Sequence, residues 1–216
     1  GGVVLAGAGG IWLLNSIPTN NEVIIAAHRG AAGKAPENTL AAVQQAVEDQ
    51  ADWVEIDVQE NADGEVVVIH DSDFMKLSKT PLKIWEASAS ELQEIDVGSW
   101  FDSRFSAERV PLLTQVLEQV RGQARLLIEL KYYGHDDMLE QRVIDIVEQA
   151  DMVEDVAIMS LKYQGIVKVR GLRPSWPIGL LLPGNVRYGR FPFDYLIPGH
   201  KYMANWILPH TKPERS

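Results

Sequence analysis

Short apolar segments alternate with helical segments along most of this chain, and that alternation restricts the fold more than any other feature. Strand-like segments are predicted at 23–27, 53–59, 65–69, 125–130, 155–161 and 177–182, with a weaker candidate at 193–197. Helices are predicted at 40–48, 110–120, 138–149 and 163–169. Because strands that alternate with helices indicate βαβ units, we expect an α/β protein with a parallel sheet.

The predicted strands carry ionisable side chains at or near their C-terminal ends. In chain order these are His28 and Arg29, Glu55 and Asp57, His70, and Glu129 and Lys131. The two-residue spacing within Glu55–Asp57 and within Glu129–Lys131 places both members of each pair on one face of a strand. Carboxylates on the inward face of a buried strand are costly to bury alone, and a bound cation would remove that cost.

Each of these groups also has a plainer interpretation. Glu55 and Asp57 fit the solvent face of an antiparallel strand, and Glu129 with Lys131 fits a surface ion pair worth about 0–1 kcal/mol. A single histidine is more often structural than catalytic, and Arg29 alone fits a surface charge. The position that the groups share, at successive strand ends, favours one common functional site.

The segment 23–39, VIIAAHRGAAGKAPENT, resembles the signature of the glycerophosphodiester phosphodiesterase family, from His-Arg-Gly to Pro-Glu-Asn-Thr. The resemblance continues at 55–57, 63–64, 70–71 and 129–131 and covers about residues 23 to 182. It implies a (β/α)₈ TIM barrel of the phospholipase C-like phosphodiesterase type, with an insertion after the third strand. We place this insertion at about 72–109, because that segment is too long for a βα loop of about 2–6 residues.

The predicted barrel is incomplete at its C-terminal end. The chain has 216 residues, whereas a complete (β/α)₈ barrel typically has about 250. After Ile197 the pattern fades, and we predict no further strand and helix there. The domain division expected from the sequence is an apolar N-terminal segment at 1–21 and a catalytic barrel at 22–216.

The resemblance implies a reaction, the hydrolysis of a glycerophosphodiester to sn-glycerol 3-phosphate and an alcohol. His28 and His70 would be the general base and general acid, in an order that the sequence leaves open. Arg29 and Lys131 would hold the substrate phosphate. The carboxylates of Glu55, Asp57 and Glu129 would bind one divalent cation, Mg²⁺ or Ca²⁺, because all-oxygen ligands favour a hard ion.

The Pro-Glu-Asn-Thr segment at 36–39 is expected to have a mainly structural role. Asn38 or Thr39 is expected to cap the following helix, and Glu37 to support the rim of the site. His135 is expected beside the start of the helix at 138–149 and is assigned no catalytic role.

Composition and charge narrow the function classes. The net charge of −10 argues against nucleic-acid binding, which needs a basic surface. The chain has no cysteine, which excludes disulfides and thiolate metal sites. Two alternatives stay open: a phospholipase of the same fold that acts on phosphatidylinositol or a lysophospholipid, and a non-catalytic membrane-associated domain.

The segment 1–21 contains no charged side chain, and its apolar part ends near Leu14. That part is shorter than the roughly 20 residues that a spanning helix needs. The segment fits a disordered or barrel-packed arm, the last turns of a transmembrane helix, or a signal peptide. Some members of the resembled family carry the barrel after a membrane domain. We therefore expect membrane attachment through this segment, with the catalytic domain itself soluble.

Overall fold

A computed structural model describes residues 24–135, 138–183, 197–198 and 206–210. Its strands are β1 (Ala26–Ala27), β2 (Trp53–Glu60), β3 (Val66–Val68), β4 (Asp73–Phe74), β5 (Thr80–Lys83), β6 (Arg125–Leu130), β7 (Val156–Ser160), β8 (Ile178–Pro183), β9 (Ile197–Pro198) and β10 (Trp206–His210). Its α-helices are α1 (Leu40–Glu48), α2 (Ala89–Glu94), α3 (Leu113–Val120), α4 (Leu139–Gln149) and α5 (Tyr163–Leu172). Short 3₁₀ helices lie at Ile84–Glu86, Ser103–Phe105 and Val153–Asp155.

The main sheet is a half-barrel of mostly parallel strands in the order β1-β2-β6-β7-β8-β10-β9, and β3 pairs with β2 beside this path. The parallel arrangement is the one that the sequence predicts. Strands β2 and β6 pair in parallel from Trp53 opposite Arg125 to Val58 opposite Leu130. Strands β7, β8 and β10 continue the parallel arrangement, and β9 pairs antiparallel with β10. Parallel neighbours bring their C-terminal ends to one edge of the sheet, which is where a barrel of this type carries its site.

Both faces of β2 are buried, and this places its carboxylates inside the half-barrel. Val54, Ile56 and Val58 point to one face and pack in the apolar core with residues of α1, α3, α4 and α5. The side chains between them point to the other face, where Glu55 and Asp57 are 4% and 1% exposed. The interpretation of these residues as the solvent face of an antiparallel strand is therefore wrong.

The third strand differs from the prediction in its direction. Strand β3 pairs antiparallel with β2, with Val58 opposite Val68, and it is not a parallel barrel strand. The turn at Asn61–Gly64 folds the chain back on β2, with the Asn61 side chain accepting N–H groups from Asp63 and Glu65. The chain after β3 consequently returns toward the middle of β2.

The start of α3 is later than the sequence predicts. Residues 110–112 are extended, because the Val68 N–H donates to the carbonyl of Pro111 and Leu112 forms a bridge with Val67. The helix begins at Leu113.

The C-terminal part contains a strand that we did not expect. Strand β10 pairs in parallel with β8, so the prediction that no strand follows Ile197 is wrong. Most of the weaker candidate at 193–197 lies outside the described residues, and only Ile197 of it belongs to β9.

The insertion forms a small unit of its own after β3. It contains a β4–β5 hairpin, α2 and the first two 3₁₀ helices. Phe74, Ile84, Leu92 and Val97 form its core together with Val67 of β3. Helix α2 begins at Ala89 and is preceded by Ser88, which caps it in a capping box that includes Glu91.

The N-terminal segment 1–21 lies outside the described residues. Within the part of the chain that the structure does describe, no helix has both the length and the hydrophobicity needed to cross a membrane.

Candidate active site

Three buried carboxylates meet on the inner face of the half-barrel. Glu55, Asp57 and Glu129 each offer one oxygen, and these atoms lie within 4.8 Å of one another. The parallel register causes this meeting, since Asp57 of β2 stands opposite Glu129 of β6. The convergence expected from the strand-end pattern is therefore present.

The carboxylate of Glu55 is only half satisfied by the protein. Its Oε2 accepts the Arg29 backbone N–H at 2.7 Å, whereas its buried Oε1 has no hydrogen-bond partner among the described residues. Burial, and then the negative charge of Asp57, raise the pKa of Glu55 well above its usual range. A buried carboxylate oxygen without a donor, beside two further carboxylates, fits a site for a hard divalent cation.

Two basic side chains border the carboxylates. The Nζ of Lys131 lies 3.0 Å from Glu129 Oε1 and 3.6 Å from Asp57 Oδ1. The Nε of Arg29 lies 3.4 Å from Asp57 Oδ2 and has no hydrogen-bond partner in the described structure. When Glu55 is ionised, three carboxylates face these two cations, and a metal ion would balance the excess negative charge.

Arg29 owes its position to an unusual backbone conformation. Arg29 and Gly30 both have positive φ angles, 53° and 73°. A Cβ on Gly30 would lie 2.8 Å from the Cβ of Ala42 in α1, so only glycine allows the loop to pass this close to the helix. The turn points the Arg29 N–H at Glu55 and its guanidinium at Asp57.

The two predicted histidines occupy different environments. The His28 side chain is 61% exposed, and its Nε2 lies 3.9 Å from Glu55 Oε2. Partial burial, and then the charge of Arg29, lower its pKa. The His70 side chain is 23% exposed, and its Nδ1 lies 2.7 Å from Asp71 Oδ1. This contact with His70 lowers the pKa of Asp71.

His70 reaches the site because β3 folds back along β2. The Ile69 N–H donates to the carbonyl of Asp57 at 2.9 Å, so His70 follows a residue bonded to a member of the carboxylate cluster. A parallel third strand was expected, whereas β3 runs antiparallel to β2. His28, Arg29 and Lys131 lie beside the carboxylate cluster, and the roles of all the predicted site residues stay predictions.

Asn38 has a role that the sequence did not indicate. Its Nδ2 donates to Asp57 Oδ2 at 2.9 Å, and its Oδ1 accepts the Asp57 N–H at 3.1 Å. Thr39 is the residue that caps α1, with its Oγ1 accepting the Ala42 N–H. The prediction that Asn38 or Thr39 caps this helix is therefore confirmed for Thr39. The Asn38 side chain instead binds Asp57, 19 residues away in the sequence, and no local pattern indicates that contact.

Glu37 supports the rim, as predicted, through two cations. It accepts a hydrogen bond from Arg29 Nη1 at 3.1 Å, and both of its oxygens lie 2.7 Å from Lys76 Nζ. Because Lys76 belongs to the insertion, Glu37 links the insertion to the guanidinium at the site.

Comparisons with known proteins agree on one family. Residues 28–191 match the model of the "Glycerophosphoryl diester phosphodiesterase family". The chain is 36% identical over 192 residues to the Bacillus subtilis protein YhdW, and the match covers 88% of this chain and 78% of YhdW. It is 32% identical over 166 residues to the glycerophosphodiester phosphodiesterase of Caldanaerobacter subterraneus, covering 74% and 67% of the two chains.

Solved structures show the same fold. The glycerophosphodiester phosphodiesterase of Agrobacterium tumefaciens superposes with a TM-score of 0.68 at 34% identity, over 74% of this chain and 67% of that one. An Oleispira antarctica phosphodiesterase, solved in complex with the product sn-glycerol-3-phosphate, gives a TM-score of 0.68 at 29% identity, over 74% and 66%.

Proposed function

The chain belongs to the glycerophosphoryl diester phosphodiesterase family, and on that premise we propose that it hydrolyses glycerophosphodiesters to sn-glycerol 3-phosphate and an alcohol. The observation that carries the proposal is the cluster of Glu55, Asp57 and Glu129, with Arg29, Lys131 and His28 beside it. His70 follows Ile69, whose N–H donates to the carbonyl of Asp57. The product named for the Oleispira antarctica relative supports sn-glycerol 3-phosphate as a product here.

A divalent cation fits the carboxylate cluster. Glu55, Asp57 and Glu129 would hold it, and their oxygen-only donor set favours Mg²⁺ or Ca²⁺. When bound, the ion would neutralise negative charge on the phosphate and act as a Lewis acid. Its binding would also give the buried Oε1 of Glu55 a partner, which the described residues do not provide.

Arg29 and Lys131 bind and orient the phosphate. The Nε of Arg29 is a donor without a hydrogen-bond acceptor in the described structure, and Glu37 holds the other end of the guanidinium. Lys131 is only 8% exposed, so its charge acts in a region from which water is largely excluded. Fixed donors of this kind stabilise the charge that develops on non-bridging oxygens.

His28 and His70 move the protons. One removes a proton from the glycerol hydroxyl that attacks phosphorus, and the other gives a proton to the departing alcohol. Water then opens the resulting cyclic phosphate to sn-glycerol 3-phosphate, with the two histidines exchanging roles. General acid–base catalysis of this kind typically contributes about 10²–10⁴-fold. Because Asp71 occupies the Nδ1 side of His70, Nε2 is the nitrogen that this ring presents to substrate. Asp71 also fixes the orientation of the ring.

The test is the release of sn-glycerol 3-phosphate from glycerophosphocholine, measured with wild-type protein, with EDTA, and after Mg²⁺ or Ca²⁺ is returned. We expect activity that EDTA removes and one of the ions restores. His28→Ala and His70→Ala should each lose at least about 100-fold in kcat. His135→Ala is the matched control, since His135 stacks on Trp85 at 4.3 Å and not on the carboxylates.

Metal-independent activity, or near wild-type turnover in either His28→Ala or His70→Ala, would contradict the proposal. Activity on lysophosphatidylcholine in place of glycerophosphocholine would favour the phospholipase alternative. Membrane attachment through 1–21 is a separate prediction, and flotation of the chain with and without these residues on phosphatidylcholine vesicles tests it.

A further inference from the structure

Three successive backbone carbonyls converge on one buried side chain next to the site. The Nε2 of Gln59 lies 2.9 Å from the carbonyl oxygen of Ile69, 3.2 Å from that of His70 and 2.8 Å from that of Asp71. Gln59 is 2% exposed. We call residues 69–71 the His70 turn, because this short segment carries the histidine between β3 and β4.

A second side chain holds the same turn from another strand. Tyr133, which follows β6, donates its hydroxyl to the carbonyl of His70 at 2.8 Å. Its ring also stacks against Trp85 of the insertion, with centroids 6.4 Å apart. The carbonyl of His70 therefore receives donors from β2 and from the loop after β6, the two strands that carry the carboxylate cluster.

The His70 turn needs such support because it has left the sheet. Strand β3 ends at Val68. The Ile69 N–H still donates to the carbonyl of Asp57, and this is the last backbone hydrogen bond to β2 before the hairpin of the insertion. His70 must be held to a fraction of an ångström for proton transfer. A residue in a turn acquires that precision only from the side chains that bind its backbone.

We infer that Gln59 and Tyr133 are positioning residues for His70, and this inference rests on the proposed function of that histidine. Gln59 follows Glu55 and Asp57 on the inner face of β2 at the same two-residue spacing. One strand face thus supplies two members of the carboxylate cluster and then the amide that fixes the acid–base group. Because Gln59 and Tyr133 bind the backbone of the His70 turn, they fix the position of the imidazole ring. Asp71 then fixes the rotation of that ring.

Gln59→Met and Tyr133→Phe remove the donors with little change of volume and without new charge. Each should lower kcat by about tenfold with KM changed less than about twofold, since misplacement of a catalytic group by about 1 Å costs up to 10²-fold. The double variant should lose less than the product of the two single losses, because both donors act on one turn. Tyr132→Phe and Gln119→Met are matched controls: Tyr132 binds Glu140 and Gln119 binds Leu40, both away from His70.

A spectroscopic measurement separates positioning from a merely structural role. In histidine-labelled protein, the imidazole signals of His70, assigned with His70→Ala, should shift or broaden in Gln59→Met and Tyr133→Phe. Those of His28 should stay in place, and the two control variants should leave both sets unchanged.

Unchanged His70 signals together with unchanged kcat in Gln59→Met and Tyr133→Phe would overturn the inference. An equal loss in the control variants would do the same, because it would indicate a general effect on folding. If the wild-type protein hydrolyses no glycerophosphodiester, the proposed function fails, while the His70 signals still decide whether these two side chains position the ring.

Discussion

Replacing Glu55 by Gln should stabilise the metal-free protein while removing its response to metal. In the metal-free state Glu55 is a buried carboxylate whose Oε1 has no donor among the described residues and whose neighbour Asp57 repels it. An unsatisfied buried polar group costs about 1–3 kcal/mol. Glutamine keeps an oxygen for the Arg29 N–H and removes the repulsion, although its amide needs a new acceptor. We therefore expect a net gain of about 1–2 kcal/mol, or about 2–8 °C in Tm for a chain of this size.

The gain should depend on pH in a defined direction. Because the pKa of Glu55 is raised in the folded state, the folded protein holds this proton more tightly than the unfolded chain does. Below the usual pKa, near 4.5, Glu55 is protonated in both the folded and the unfolded wild-type protein, so its ionisation does not lower the stability. As pH rises from there through the raised folded pKa, this loss of stability grows and then stays constant. The stability difference between Glu55→Gln and wild type should therefore be small at pH 4 and largest at pH 8.

Thermal unfolding in EDTA and in excess Mg²⁺ or Ca²⁺ measures both effects. An ion at about 100 times its Kd stabilises the wild type by about 2.7 kcal/mol, and Glu55→Gln should lose most of that increment. Glu140→Gln is the matched control. Glu140 is 3% exposed, but Tyr132 and Lys168 already bind it, so its loss should destabilise the protein and leave the metal response intact.

A Glu55→Gln protein that is less stable than wild type in EDTA at pH 8 would refute this reasoning. That result would mean that the protein alone satisfies the Glu55 charge. A full metal response in the variant would likewise remove Glu55 from the cation site.

Three further substitutions test other parts of the account. Asn38→Gly keeps the positive φ of 57° but loses both hydrogen bonds to Asp57, so urea unfolding should show a free energy of unfolding lower by about 2–4 kcal/mol. A change below about 0.5 kcal/mol would contradict the role of Asn38. Arg29→Lys replaces a fork by a point charge, and steady-state kinetics should show kcat/KM reduced about tenfold or more; unchanged kcat/KM would remove the guanidinium from phosphate binding. Gly98→Ala places a Cβ 2.0 Å from the carbonyl oxygen of Phe105, so denaturation should report a loss of about 1–3 kcal/mol, whereas wild-type stability would mean that this backbone moves freely.

Much of the site is readable from the sequence because strand geometry is local. The two-residue spacing of Glu55 with Asp57 and of Glu129 with Lys131 is enough to put each pair on one face. Parallel pairing of β2 with β6 then brings the pairs together. The inward orientation of Gln59 could also be predicted, since it continues the Glu55–Asp57 alternation. Its role could not, because a neutral amide does not indicate a function until its hydrogen-bond partners are known.

Other features depend on contacts that no local pattern records. A run of valines such as Val66–Val68 is expected in parallel and in antiparallel strands alike. The sequence therefore did not predict the antiparallel direction of β3. Strand β10 was missed because a proline interrupts its sequence, Trp206–His210, and prolines argue against strands. The pairing of Asn38 with Asp57 joins two elements that only the folded chain brings together.

The central claim is that one ion binds between β2 and β6, and anomalous diffraction from crystals soaked in Mn²⁺ tests it most directly. We expect a single strong peak in contact with a carboxylate oxygen from each of Glu55, Asp57 and Glu129, and no peak there in Glu129→Gln crystals. A peak elsewhere, or one that persists unchanged in the variant, would contradict the claim.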